Sequence, residues 1–334
     1  DSQKCELILE YQTEHPNKLY IQIIMISISN ITKHFGSALA LDNVSFNIPS
    51  NAITAIVGSN GAGKTTLLKI LVKLLDADYG EVIYDNISSI KDFRRKIGYL
   101  PEQRGLYADI DIETQLLHFA TIRGLAKKEA VQNVSYWLKK FDMHRWAQAR
   151  ITSLSKGMQQ KIQLISSLVN MPTLLFMDEP LSGLDPLNFR YFCSIIKEYQ
   201  KDFNATIVLS THNMKSVEQI CSNVAILNKS NLRDFGTISD LKRRYATSGT
   251  YKIIAKKNKD LEERMNPTFV SQDFSIASED INSEFVQLEL STLKDGLSML
   301  DAMAFITKVF PNIELISCSE SIPTMEDIFV EINE

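Results

Sequence analysis

Residues 58–65 read Gly-Ser-Asn-Gly-Ala-Gly-Lys-Thr, and this stretch is the strongest structural signal in the chain. It matches the pattern G-x-x-x-x-G-K-[ST] at every fixed position. Residues 52–57 (AITAIV) before it are typical of a short buried strand, and residues 66–75 (TLLKILVKLL) after it have the apolar spacing of a packed helix. A glycine-rich loop between a strand and a helix predicts a site that holds polyphosphate.

Each part of this loop has a physical role in the predicted site. Glycines let successive backbone N–H groups form a concave nest, and the helix adds its unpaired N–H groups and positive dipole end. Lys64 is predicted to reach the β- and γ-phosphates, and the Thr65 hydroxyl to bind Mg²⁺. The alternative is a turn without a ligand, but a turn does not require the Lys-Thr pair. The predicted contacts are Gly58, Ser59, Asn60, Gly61, Ala62, Gly63, Lys64, Thr65 and Thr66.

A second chemical motif is the apolar run at residues 174–177 (LLFM), which ends in Asp178 and Glu179. A buried strand delivers both carboxylates to the sheet edge that also carries the phosphate loop. Asp178 is predicted to hold the metal, through its water shell, and Glu179 to polarise the attacking water as a general base. The alternative is a strand that ends in a solvated acidic pair.

The amino-acid composition limits which classes of protein this chain could belong to. A chain of 334 residues predicts two structural units, and 44% hydrophobic with 23% charged residues is ordinary for a globular protein. The net charge of −4 lacks the excess of positive charge that binds nucleic-acid phosphates, so no nucleic-acid partner is expected. The cysteines have the spacing of neither a zinc site nor a disulfide framework, which indicates reduced thiols. They are Cys5, Cys193, Cys221 and Cys318.

The first residues are interpreted separately from the rest. Residues 19–31 are the nearest approach to a membrane span, but polar residues interrupt them, so no membrane crossing is expected. These are Gln22, Ser27, Ser29 and Asn30. Met25 opens a segment with strand alternation, whereas residues 1–24 carry mixed charges and a proline. We interpret residues 1–24 as an N-terminal extension, native or not, and assign it no function.

The remaining chain predicts two domains. Residues 25–239 alternate strand-like and helix-like runs, as in an α/β domain on a largely parallel sheet. Residues 112–150 read instead as consecutive helices, a helical insert in that domain. Residues 240–334 predict a small α+β domain without a chemical motif. Its predicted elements are strands at 251–255, 274–277, 285–290 and 313–317 and helices at 293–310 and from 324.

Further motifs occur in a fixed order along the chain. The order resembles that of the nucleotide-binding subunit of ABC transporters, over roughly residues 25–229. Residues 154–158 (LSKGM) resemble the signature LSGGQ, and residues 182–185 (SGLD) resemble the D-loop. Gln103 resembles the Q-loop glutamine, His212 the switch histidine, and Phe35 the aromatic residue that stacks on adenine.

Taken singly, each of these residues has a simpler explanation. Gln103 could be a loop amide, Phe35 a core ring, and His212 a turn histidine. Asp185 and Ser155 could be ordinary helix caps. The simpler explanations would all have to coincide, which favours the resemblance.

The resemblance implies a P-loop NTPase (ABC ATPase) domain with a mixed sheet and a helical subdomain at about 104–165, followed by the small α+β domain. It implies ATP with Mg²⁺ as cofactors, Gln103 as a contact of Mg²⁺ and water, and His212 as a γ-phosphate contact. Ser155 and Gly157 would meet ATP held by a second copy in a homodimer, and Asp185 would lie at the same site.

The resemblance also implies a partner. Lys156 and Met158 depart from the commonest signature, and both this lysine and residues 323–329 (PTMEDIF) resemble the ATPase subunits of ABC-2 exporters. The chain would then power an ABC-2 type permease from the cytoplasmic face of the membrane, and the helical insert would receive a helix of that permease. Two alternatives stay open: a soluble ABC ATPase acting on ribosomes or DNA, and a low-turnover nucleotide-dependent immunity or binding protein.

Overall fold

The computed structural model describes residues 25–103, 105–246, 250–257, 268–270, 274–280, 284–292 and 298–333. The chain divides into two compact units between Ile238 and Ser239, and the C-terminal residues from Phe329 onward group with the first unit. The predicted extension at 1–24 lies outside the described residues. In the described ranges, no helix is both long and apolar enough to cross a bilayer.

The first unit contains nine strands among the described residues. They are β1 (Ile26–Phe35), β2 (Ala38–Ile48), β3 (Ile53–Val57), β4 (Tyr79–Tyr84), β5 (Ile97–Leu100), β6 (Leu174–Asp178), β7 (Thr206–Thr211), β8 (Asn223–Asn228) and β9 (Asn231–Thr237). The helices of this unit are α1 (Lys64–Leu71), α2 (Ile90–Lys96), α3 (Ile112–Ile122), α4 (Lys127–Lys140), α5 (Lys156–Leu168), α6 (Pro186–Phe203) and α7 (Met214–Ile220). The next helix, α8 (Ile238–Arg244), begins at the boundary and continues into the second unit.

The central sheet has six strands in the order β5-β6-β7-β3-β8-β9. The first five run parallel and β9 is antiparallel to β8, so the sheet is mixed. Every residue of β3, β6, β7 and β8 is buried, which is why these strands read as continuous apolar runs. This confirms the predicted α/β fold and places several motif-bearing strand ends at one edge.

A separate three-stranded antiparallel sheet, in the order β2-β1-β4, accompanies the central sheet. Inward side chains of β1 alternate as Ile26 and Ile28, and they share one apolar core with Leu67 and Leu71 of α1 and Phe176 of β6. Alternation in the sequence predicted a strand from Met25, but its membership of a second sheet follows only from the pairing.

Helices α3 and α4 occupy the stretch that reads as consecutive helices in the sequence. Asp111 caps α3 by accepting from the backbone N–H of Thr114 at 2.8 Å. Trp137 of α4 is fully buried, and its ring lies 5.7 Å from that of Tyr199 on α6. These contacts anchor the helical region to the rest of the first unit.

The second unit is an antiparallel sheet covered by a helix. Its described elements are β10 (Thr250–Lys256), β11 (Thr268–Val270), β12 (Phe274–Asp280), β13 (Phe285–Thr292), α9 (Met299–Val309) and β14 (Leu315–Glu320). The sheet order is β11-β12-β13-β10-β14. Ile253 and Leu288 pack with Ala302 and Ile306 of α9. The last helix, α10 (Met325–Asn333), runs across the boundary at Ile328.

Candidate nucleotide-binding site

The candidate site lies at the carboxyl ends of β3, β6 and β7. Val57, at the end of β3, is paired with Thr211 of β7, and Asp178, at the end of β6, is paired with Ser210 of β7. Because parallel strands end at the same edge, the loops that follow them meet there. The phosphate loop, the acidic pair and the switch histidine therefore share one edge of the sheet.

The phosphate loop is glycine-rich because its backbone conformation and its neighbours leave little room for side chains. A Cβ at Gly58 would lie 2.6 Å from the carbonyl oxygen of Leu227. Gly63 has φ of +102°, and a Cβ there would lie 2.5 Å from the carbonyl oxygen of Ala40. Gly61 also has positive φ, +82°, but faces open space. The loop is therefore held against neighbouring backbone at both ends and is open in the middle.

We expect Gly63→Ala to impair the loop more than Gly61→Ala does. Both changes impose a left-handed conformation on alanine, which costs about 1–2 kcal/mol. Only the change at Gly63 also forces a side chain onto the Ala40 carbonyl. Thermal unfolding and MgATP titration of the two variants measure the difference, and equal losses in both would contradict the importance of this contact.

Lys64 and Thr65 begin α1 and point in two directions. Lys64 is buried, and its Nζ donates to the carbonyls of Gly58 at 2.9 Å and Ser59 at 3.1 Å. The Thr65 hydroxyl donates to Asp178 Oδ1 at 3.1 Å. The ammonium is thus held over the loop, and the hydroxyl connects the loop to the acidic pair. Of the other predicted contacts, Ser59, Asn60 and Gly61 are exposed, Ala62 is buried and Thr66 is half-buried.

The acidic pair is organised by Ser210, a residue that the sequence analysis did not select. Asp178 is 1% exposed, and its Oδ1 also accepts from the Ser210 hydroxyl. The oxygen of that hydroxyl accepts from the backbone N–H of Glu179 at 3.0 Å. Glu179 has φ of +48°, so the chain turns sharply directly after the strand. In the sequence, Ser210 is marked only by a hydroxyl near the end of a buried strand, two residues before His212.

Glu179 and His212 are in direct contact. His212 Nδ1 lies 2.9 Å from Glu179 Oε1. The Glu179 side chain is 11% exposed and the His212 side chain 57% exposed. A mostly enclosed carboxylate beside an accessible imidazole is suited to orienting a water molecule and transferring its proton.

Gln103 follows β5, which is paired in parallel with β6, so it lies at the same sheet edge as the acidic pair. Its side chain is exposed, and among the described residues no hydrogen bond joins it to Asp178 or Glu179. The predicted role of Gln103 therefore requires a ligand or a movement of its loop.

Tyr99, on β5, is affected by the acidic pair. Burial and the negative charge of Asp178 raise the pKa of Tyr99 to about 12.

Phe35 ends β1 at the tip of the hairpin with β2. The residue is 52% exposed, so Phe35 is not part of the core, and Lys33 Nζ lies 5.8 Å from the ring centroid. Phe35 is paired with Ala38, two residues before the Ala40 carbonyl that touches the Gly63 position. An exposed ring paired with the strand that flanks the phosphate loop is suited to stacking on a base.

The signature residues lie beside the D-loop. Ser155 caps α5 by accepting from the N–H of Met158 at 3.3 Å. A Cβ at Gly157 would lie 3.2 Å from Asn188 of α6. Asp185 caps α6, and hydrogen bonds, chiefly from Asn188, lower the pKa of its carboxyl. In the described part of the chain, no hydrogen bond joins Ser155 or Gly157 to residues 58–65. The structure thus brings Lys64, Thr65, Asp178, Glu179 and His212 together, and Ser155, Gly157 and Asp185 form a second group.

The oxygens of Thr65 and Asp178 fit a magnesium ion. They are 3.1 Å apart, and hydroxyl and carboxylate oxygens are the ligands that Mg²⁺ takes when it also keeps water and binds phosphate. Over the described ranges, no cluster of three or more His, Cys, Asp and Glu side chains could hold a metal. A site made of one hydroxyl, one carboxylate and nucleotide phosphates needs no such cluster.

Comparisons with known proteins agree with this geometry. A family model described as ABC transporter matches residues 41–182. The uncharacterised ABC transporter ATP-binding protein YhaQ of Bacillus subtilis (strain 168) is 33% identical over 310 residues, which cover 92% of this chain and 98% of YhaQ. The bacitracin transport ATP-binding protein BcrA of Bacillus licheniformis is 31% identical over 223 residues, 66% of this chain and 72% of BcrA. A solved structure of an ATP-binding subunit of an ABC transporter superposes with a TM-score of 0.61 at 27% identity, covering 66% of this chain and 93% of that one.

Proposed function

Because the chain belongs to the family of ABC transporter ATP-binding proteins, and is an ATPase that binds ATP, we propose that it powers an ABC-2 type exporter. In this proposal it acts through ATP-dependent dimerisation and couples to a separate permease at the cytoplasmic face of the membrane. The observation that supports its ATP-hydrolysing part is the meeting of the phosphate loop, Asp178, Glu179 and His212 at one sheet edge.

The reaction is assigned to the residues of that edge. Lys64 neutralises charge on the β- and γ-phosphates, assisted by the loop N–H groups and the start of α1. Glu179 accepts a proton from the attacking water, and His212 contacts the γ-phosphate. Thr65 and Asp178 would hold Mg²⁺, which supplies further neutralisation of phosphate charge when bound. In this proposal Gln103 contacts Mg²⁺ and water, and Phe35 stacks on adenine.

The separation of the two groups of site residues supports the proposed dimerisation. Ser155 and Gly157 are exposed or half-exposed at the start of α5, beside Asp185 and Asn188 rather than over the chain's own phosphate loop. A second copy arranged head to tail would bring its α5 N-terminus to the γ-phosphate. ATP then joins the subunits, and loss of the γ-phosphate releases them.

The exporter assignment rests on the relatives and on two sequence features. BcrA is described as a bacitracin transport protein, and the signature lysine and the 323–329 tail resemble ABC-2 ATPase subunits. Our proposal extends transport to this chain without specifying the transported substance, because substrate contacts in such systems belong to the membrane subunit.

The proposal predicts that ATP turnover by this chain changes when the permease is present. We expect co-expression with an integral membrane protein of the ABC-2 type to yield a detergent-stable complex whose phosphate release differs from that of the isolated chain. The Lys64→Ala variant in the same complex is the control for contaminating ATPases. Co-purification with ribosomes or DNA in place of a membrane protein would contradict the assignment. Turnover that stays negligible with the permease would favour a nucleotide-dependent binding protein.

A further inference from the structure

The hairpin turn between β8 and β9 holds both ends of the phosphate loop. The carbonyl of Leu227, the residue before this turn, lies against Gly58, where a Cβ would approach it to 2.6 Å. At the other side of the turn, the Ser230 hydroxyl donates to the Leu39 carbonyl at 2.7 Å, and the Ser230 carbonyl accepts from Asp42 N–H at 2.9 Å. We call residues 228–231 the β8–β9 turn.

The two contacts of Ser230 bracket the part of β2 that supports the end of the loop. Ala40 and Leu41 lie between Leu39 and Asp42. Atoms of these two residues are the nearest to a Cβ placed at Gly63. The β8–β9 turn therefore fixes the start of the phosphate loop through Leu227 and its end through β2. Any displacement of this turn changes the spacing between Gly58 and Gly63.

The turn itself is held in an unfavourable conformation. Lys229 has φ of +48° and Ser230 has φ of +71°, and neither residue is glycine or asparagine. Two-residue hairpin turns with positive φ at both positions strongly favour Asn and Gly because side chains are disfavoured there. Such conformations persist where the surroundings enforce them and are concentrated at functional sites.

A contact from the C-terminal helix helps to enforce it. Asn228, which is 6% exposed, donates from Nδ2 to the carbonyl of Ile332 at 3.3 Å. Ile332 lies in the last turn of α10, where carbonyls have no partner within the helix. Asn228 therefore caps the end of α10 and is also the first residue of the β8–β9 turn.

From this chain of contacts we infer that Asn228 is a positioning residue for the nucleotide, through which the end of α10 sets the geometry of the phosphate loop. The inference rests on the proposed function, since it concerns the same ATP site. It assigns a role in nucleotide affinity to the C-terminal segment 329–333, which carries no chemical motif of its own. α10 begins in the second unit, and its last residues belong to the first.

The experiment compares two buried asparagines at opposite ends of β8. Asn223, at the amino end, is 8% exposed and donates from Nδ2 to the Ser222 hydroxyl at 2.9 Å, away from the phosphate loop. We expect Asn228→Ala to weaken binding of a magnesium-bound, non-hydrolysable ATP analogue about 3- to 10-fold, the ratio that one net hydrogen bond gives. Asn228→Asp, which keeps the volume but loses the donor, is expected to do the same. Asn223→Ala is expected to lower the melting temperature comparably without changing affinity.

The outcomes separate this inference from the proposed function. A variant truncated after Ile328 should bind the analogue as weakly as Asn228→Ala does. Adding Asn228→Ala to this truncated variant should not weaken binding further. Wild-type affinity in both Asn228 variants, or equal losses in Asn228→Ala and Asn223→Ala, would overturn this inference alone. Wild-type protein that takes up no analogue would overturn the proposed function together with it.

Discussion

The Glu179→Gln variant is expected to bind MgATP with unchanged affinity, to hydrolyse it about 10²- to 10⁴-fold more slowly, and to accumulate as an ATP-bound dimer. In the wild type, Glu179 Oε1 lies 2.9 Å from His212 Nδ1. Glutamine keeps the size of the side chain and can keep this hydrogen bond, so the site stays assembled. Its amide cannot accept the proton of the attacking water. The γ-phosphate that joins two copies is then retained. Light scattering with MgATP measures the dimer, and phosphate release measures the rate.

Glu102→Gln is the matched control for this prediction. Glu102 is an exposed acid that follows β5 at the same sheet edge, and its charge acts on Tyr99 as that of Asp178 does. Removing this charge should leave the turnover unchanged, and the variant should show the same oligomeric state as the wild type with and without MgATP. If Glu179→Gln stays monomeric with saturating MgATP, or hydrolyses it at the wild-type rate, Glu179 is not the general base.

The parts of this site that the sequence predicted are those encoded by neighbouring residues. The loop at 58–65 lies between a buried strand and a helix, and the LLFMDE run forms a buried strand that ends in Asp178. Consecutive helices in 112–150 were also predicted, because helical spacing needs only a local window. Each of these patterns depends on residues within one element, and one element can be read without knowing its neighbours.

Contacts between strands distant in sequence could not be predicted. Ser210 organises Asp178 only because β7 lies next to β6, and the sheet order is not encoded in either strand alone. The Leu227 carbonyl limits Gly58 for a similar reason, since β8 pairs with β3. The positive φ of Glu179 is likewise not predictable from its residue type, which is neither glycine nor asparagine. The roles assigned to Gln103, Ser155 and His212 remain predictions, because each depends on a ligand or a second copy.

Lys64→Ala is expected to weaken MgATP binding about 10- to 100-fold, the loss of one or more hydrogen bonds to a charged group. Among residues 58–65, the Lys64 ammonium is the one full positive charge, and the N–H groups of the loop carry only partial charges. In the described structure Lys64 Nζ also pairs the carbonyls of Gly58 and Ser59, so its removal exposes two acceptors to the incoming anion. Both effects act against phosphate, and calorimetry with MgATP measures their sum.

Lys69→Ala distinguishes this effect from a change in helix charge or stability. Lys69 lies on the same helix, is exposed and belongs to its last turn, so its ammonium is directed away from the loop. Its removal should leave affinity within about twofold, since an exposed charge contributes little. Lys64→Arg should restore the charge but not the affinity, because a planar guanidinium does not replace a compact ammonium enclosed between two carbonyls. Near-normal binding by Lys64→Ala would mean that the backbone nest alone holds the nucleotide, and the assignment of Lys64 would be wrong.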